Sequence, residues 1–216
     1  MKNVRYQIRI LIKVQWLFFL MVLMLNIISI SYANECCGNY SNDTILKLAT
    51  SFMNDKKYDS AINECKKIME QFSASDDTAK SYRFRSKLLL AGAYLEKKDF
   101  QKALATAIEL KNKIGNKPAP IINGSPQGWQ LRFNTQFFIG ALYFRSKDMP
   151  TAYQSFQEAK SELERQKREI IENSIQLSKS IETEKQLAWI NQQLVQIDLI
   201  ISDCLRQRIN TKRISP

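Results

Sequence analysis

Apolar and small residues return at the same helical offsets in three stretches of the chain. Leu48, Ala49, Phe52, Tyr58, Ala61, Cys65 and Ile68 align without a gap with Leu90, Ala91, Tyr94, Phe100, Ala103, Ala107 and Leu110. They align again with Ile139, Gly140, Tyr143, Met149, Ala152, Phe156 and Ala159. Steps of three and four residues place these positions on one side of a helix, and a short polar break precedes Tyr58, Phe100 and Met149. Each stretch is therefore predicted to be a helix, a tight turn and a second helix. Units of this kind bury their apolar faces by stacking on one another, so the expected class is an all-α helical repeat. Its product is a surface rather than a catalytic cleft.

The C-terminal third carries a different pattern. From Thr151 onward there is no glycine, and no proline before the last residue, which predicts helix nearly throughout. Phe156, Leu163, Ile170 and Leu177 form a seven-residue stripe. The polar run 173–180 then predicts a kink or turn, and Thr183 with Gln186 fits a capping box that restarts the chain. Beyond it Leu187, Ile190, Leu194, Ile197, Ile201 and Cys204 lie along one side of a long amphipathic helix. We expect that side to cap the last unit within the same chain; a coiled-coil partner or a groove plug are the alternatives.

Between the first and second stretches, Ser73 to Asp77 reads as a short polar linker. Gly115 to Gly128, with three glycines and three prolines, reads as a true loop. Ile121, Ile122 and Trp129 in and beside it are expected to fold back over the neighbouring helices, the alternative being a grip on a partner. At the N-terminus Lys2, Arg5, Arg9 and Lys13 precede an apolar run from Val14 to Ile30 that ends in Ser31-Tyr32-Ala33. That layout predicts a secretory signal cleaved after Ala33, with an uncleaved anchor over 14–32 as the alternative. Glu35 before Cys36 argues against lipidation. The expected organisation is signal or anchor 1–33, disordered linker 34–42, three repeats over 43–165, a helical extension 166–210 and a basic tail 211–216. An exported chain of this kind would work in the periplasm or elsewhere in the cell envelope.

The aligned stretches resemble the tetratricopeptide repeat (TPR), whose signature is a large–small pair, an aromatic residue one turn later and a small residue where the two helices cross. LLLAGAYLEKKDFQKALATAIEL is the best copy. The early tryptophan of that family is replaced by Ile45, Lys87 and Gln136, and its mid-repeat glycine by Lys56, Lys98 and Lys147; the closing proline is missing. Spacing is loose too, since Ala61 to Ala103 is 42 residues and Ala103 to Ala152 is 49, against about 34 in the family. The resemblance implies a concave face lined by the first helix of each unit. It would comprise Leu46, Thr50 and Met53, then Leu88, Gly92 and Leu95, then Phe137, Ala141 and Phe144, with Asn54, Arg85, Asn134 and Arg145 at the margins. A mostly apolar face suits an amphipathic helix or apolar peptide of a protein partner. The expected role is thus a protein-binding scaffold. The alternative is a membrane-tethered structural subunit of an envelope assembly or secretion complex, associating through its C-terminal helix.

Charge and chemistry narrow this only a little. The chain carries 32 basic and 21 acidic side chains, and loss of the first 33 residues removes four bases, so the mature protein stays basic and suited to anionic surfaces. No groove-reading motif points to nucleic acid. Histidine is absent, which removes the commonest general base and every histidine metal site. There is no glycine-rich phosphate loop or nucleophile elbow. Glu162, Glu164 and Glu169 among Arg165, Lys167 and Arg168 read as solvated helix faces. We expect no enzyme, cofactor or metal. Cys36 and Cys37 are adjacent near the cleavage site, whereas Cys65 and Cys204 fall on apolar faces and are expected to be buried thiols rather than a disulfide.

Overall fold

A computed structural model describes residues 40–71, 77–115, 127–176 and 181–212. Among them the protein is all-helical. The helices are α1 (Tyr40–Asn54), α2 (Tyr58–Gln71), α3 (Asp77–Glu96), α4 (Phe100–Ile114), α5 (Gln127–Arg145), α6 (Met149–Gln176) and α7 (Ile181–Lys212). Each aligned stretch is a helix, a three-residue turn and a helix, as its pattern predicts. The N-terminal signal or anchor, Cys36, Cys37, Ile121, Ile122, Leu177 and the tail from 213 lie outside the described residues. Two boundaries differ from expectation. Helix α1 starts at Tyr40, inside the segment read as linker, and α7 starts at Ile181, so Thr183 sits within the first turn and is not its cap.

Contacts follow chain order. Helix α1 packs on α2, α3 on α4 and α5 on α6, while α2 meets α3, α4 meets α5 and α6 meets α7. First helices also touch one another, α1 with α3 and α3 with α5. The aligned positions where paired helices cross are buried alike, whereas Leu48 and Phe100 are exposed where Leu90, Ile139 and Met149 are buried. Ala49 and Ala91 are fully buried, as are Ala61, Ala103 and Ala152, then Cys65, Ala107 and Phe156, then Ile68, Leu110 and Ala159. Zero exposure at three equivalent alanines marks close helix approach, where a larger side chain has no space. We expect Ala103→Leu or Ala152→Leu to cost about 1 to 3 kcal/mol by overpacking, read as a lower denaturation midpoint. Ala105→Leu, on an exposed position of α4, should stay within about 0.5 kcal/mol.

The three turns are built alike. Lys56, Lys98 and Lys147 have φ of 59°, 63° and 64°, the left-handed conformation that costs an L-residue roughly 1 to 2 kcal/mol. Each closes its helix with the same pair of hydrogen bonds. The Lys56 N–H donates to the Met53 carbonyl (3.1 Å) and the Lys57 N–H to that of Phe52 (2.8 Å). Lys98 and Asp99 donate to Leu95 and Tyr94, and Lys147 and Asp148 to Phe144 and Tyr143, in the same manner. This is the Schellman closure that usually employs glycine. The next helix starts at once, with Asp99 Oδ1 accepting from the Lys102 N–H (3.1 Å) and Asp148 Oδ1 from the Thr151 N–H (3.2 Å). Lys57 occupies the equivalent place in the first turn, where no carboxylate is available. Glycine at 56, 98 and 147 together is expected to stabilise the fold by about 1.5 to 3 kcal/mol, after allowing for the looser unfolded chain. Urea denaturation would measure it, and a fall in stability would mean that the lysine side chains outweigh the backbone strain.

Helix α7 covers the far side of α5 and α6. Ile190, Ile197, Ile201 and Cys204 are buried in one cluster with Trp129, Phe133, Phe137, Phe156 and Leu163, and Leu194 packs partly against it. Trp189 meets Trp129 and Phe133 edge-on, with ring centroids 5.6 and 6.0 Å apart. The stripe expected to cap the last unit does so. Trp129, at the end of the glycine- and proline-rich segment, belongs to this core. Cys65 and Cys204 are free, buried thiols in separate clusters, Cys65 among α1, α2 and α3 and Cys204 between α7 and its neighbours.

Candidate functional site

The residues expected to line a concave face lie on α1, α3 and α5, and most of them are interior. Leu46, Met53, Leu88, Leu95, Phe137 and Ala141 are each no more than 5% exposed, and Thr50 is 8% exposed. Thr50 also closes its hydroxyl onto the Leu46 carbonyl at 2.8 Å. Their partners are the neighbouring helices: a Cβ built on Gly92 of α3 would meet the Met53 methyl of α1 at 3.8 Å. These apolar side chains therefore hold successive first helices together. What remains accessible is the margin, with Gly92, Arg85, Asn134 and Phe144 half-buried and Asn54 and Arg145 exposed.

A second concavity was not foreseen from the sequence. Between the C-terminal end of α4, the first half of α5 and the middle of α6 lies a cleft of about 750 Å³. Lys111, Arg132, Thr135, Gln136, Glu158, Glu162 and Arg165 are among the residues that line it. Glu162 holds the centre. It accepts from Arg132 Nε at 2.8 Å and from Arg165 Nη2 at 2.7 Å, with its side chain only 15% exposed. Arg165 also pairs with Glu169. Hydrogen bonding to Glu162 is the main reason that the Arg165 guanidinium is held above its ordinary basicity. Across the cleft Lys111 Nζ donates to Glu158 Oε2 at 2.7 Å, joining α4 to α6. The Thr135 hydroxyl, 1% exposed, has no hydrogen-bond partner among the described residues.

Glu162 thus departs from the expectation of a solvated helix face, whereas Arg165, 39% exposed, keeps to it. Their i, i+3 spacing on α6 is visible in the sequence, but Arg132, the second partner of Glu162, comes from α5. The arrangement neutralises charge within the wall.

Among the described residues, no group of three or more histidine, cysteine, aspartate and glutamate side chains is placed to hold a metal ion. No described helix is long and apolar enough to cross a membrane. No protein-family model matches the chain, and no curated protein is significantly similar to it.

Proposed function

We propose that the protein is an exported, tetratricopeptide-like scaffold of the cell envelope that binds a peptide or helix of a protein partner along the side presented by α1, α3 and α5. The observation that carries this reading is the succession of three helix hairpins closed by the same left-handed lysine turn and crossed at the same buried alanine. Hairpins joined in this way stack with their first helices side by side, and repeat proteins use the extended face so formed for binding. In this chain the apolar residues of that side, Leu46 to Phe137, act as the packing between first helices. The partner is read by the rim, with Phe144 supplying apolar contact and Asn54, Arg85, Asn134 and Arg145 supplying polar ones. The basic balance of the chain favours a partner segment that carries acidic residues.

A photo-crosslinking amino acid placed at Arg145 or Asn134 of the full chain in its native cell tests this. Both positions are expected to give the same discrete protein adduct, while the probe at Ala105, on the exposed side of α4, gives none. Adducts of equal yield from all three sites, or none from the first two, would remove the assignment.

A further inference from the structure

Among the described residues, the non-glycine positions with positive φ are Lys56, Lys98 and Lys147, and all of them are lysine. Glycine or asparagine takes that conformation with less strain, so the backbone does not account for the choice. Nor does the interior of the fold. Each of these lysines is exposed, and none forms an ion pair with a described residue. A strained lysine at the same place in every hairpin points to a role outside the chain.

The three turns share one end of the molecule. Asp59, at the start of α2, pairs with Lys97 of the second turn, which sets the first two turns side by side. Lys111 of α4 reaches Glu158 of α6, and these residues lie at nearly equal distances along the chain from Lys98 and Lys147, so the third turn is level with the second. Most carboxylates at this end are engaged: Asp55 by Lys57 at 3.5 Å, Asp59 by Lys97, and Asp99 by Lys102 at 2.8 Å. With those pairs set aside, Lys56, Lys98, Lys147 and Arg145 stand against Glu96 and Asp148. Asp148 itself caps α6, accepting from the Thr151 N–H and hydroxyl. The turn end is therefore cationic, and its cations are spread over three hairpins.

Neighbouring hairpins touch through their first helices, and packed helices lie about 8 to 10 Å apart. One small anion cannot meet two lysines so separated, so the counterpart presents many anions across a surface. Phe100 narrows the choice. It opens α4 just after the second turn and is 45% exposed, and an aromatic ring set among cations suits the boundary between lipid headgroups and acyl chains. The apolar run from Val14 to Ile30 takes the chain to a bilayer whether it is cleaved or kept. We infer that the turn end of the protein docks on a bilayer rich in anionic phospholipid, with Lys56, Lys98 and Lys147 on the headgroups. The inference does not depend on the rim residues proposed to bind a partner.

Lysine acetylation by a membrane-impermeant reagent, read residue by residue by mass spectrometry on the full chain, tests it. Each lysine near an anionic surface adds about fivefold to binding, so three together favour the docked state by about a hundredfold. Saturating phosphatidylglycerol vesicles should therefore slow modification of Lys56, Lys98 and Lys147 at least about fivefold. Lys185, exposed on the first turns of α7, should keep its rate, and neutral phosphatidylcholine vesicles should protect none of them. Lys57 and Lys97, beside the docking lysines, should be protected in the parent chain. In the Lys56→Gly, Lys98→Gly, Lys147→Gly variant, whose fold is expected to be at least as stable, they should react equally with and without anionic vesicles. The inference is overturned if the three lysines keep their free rates on anionic vesicles, or if neutral vesicles protect them as well. It is also overturned if Lys185 is protected to the same degree, or if the glycine variant still protects Lys57 and Lys97. Equal protection by soluble polyaspartate would overturn it too, by making an acidic chain the partner.

Discussion

Replacing Ile190 and Ile197 together by alanine is expected to bring the C-terminal half of the protein to the edge of unfolding. Both side chains are fully buried between α7 and the α5–α6 pair, and removing a buried isoleucine down to Cβ costs about 2 to 5 kcal/mol. Two such losses, about 4 to 10 kcal/mol if they add, approach the roughly 5 to 15 kcal/mol that holds a domain together. Alanine is the better helix former of the two residues, so the loss cannot come from the helix itself. Denaturant titration followed by circular dichroism gives the size of the effect. Fluorescence of Trp129 and Trp189, which face each other across the same contact, should shift to the red in parallel. Gln192→Ala, an exposed neighbour on α7, should leave both readings unchanged. Equal behaviour of the double variant and this control would mean that α7 does not support the fold.

The second large effect is expected at the crossing of α5 and α6. A Cβ built on Gly140 would approach two ring atoms of Phe156 to 2.9 Å, closer than carbon atoms tolerate, and the ring is fully buried and packed on Phe137 at 5.1 Å. Gly140→Ala should therefore cost about 1 to 3 kcal/mol, less whatever the helix gains from losing a glycine. Phe156→Ala should cost about 3 to 5 kcal/mol. The equivalent positions in the other hairpins are Ala49 with Cys65 and Ala91 with Ala107, so a glycine appears where its counterpart across the crossing becomes a phenylalanine. Volume is exchanged between the two helices. The double variant reproduces the Ala91–Ala107 pair, and its destabilisation should fall short of the sum of the singles by at least about 1 kcal/mol in a double-mutant cycle. Strict additivity would show that the two sites do not share the crossing.

Both effects were within reach of the sequence because they rest on local periodicity. Alanine at 61, 103 and 152 admits one explanation, close helix approach, and the alternation from Leu187 to Cys204 admits one buried face. Features assembled from separate helices were less legible. Arg132 and Glu162 meet only because of the angle at which α5 crosses α6, and neither residue type reveals whether its charge will be shared or solvated. The margins of α1, α3 and α5 were identified by resemblance, and that route gave the positions but not their burial. The composition did contain a warning, since Leu46, Met53, Leu88, Leu95 and Phe137 are apolar enough to prefer the interior. The exposure of Val195, Leu199 and Ile209 on α7 was less legible, because they interleave in sequence with Leu194, Ile197 and Ile201 and share their residue types.

The two buried thiols have a use that does not concern binding. Burial pushes the Cys65 thiol up to about 12 and that of Cys204 up to about 11, so while the chain is closed neither forms the thiolate that reacts with alkylating agents. Each becomes reactive only when its own surroundings come apart. Cys65 sits with α1, α2 and α3, and Cys204 sits against the other end of the chain. The protein thus contains two internal clocks of local opening, one near each terminus, and they need not keep the same time. In an architecture held by contacts between neighbours, an end can fray without its opposite. The ratio of the two labelling rates measures how far folding is shared along the chain: equal rates describe one cooperative body, and unequal rates locate the end that opens first.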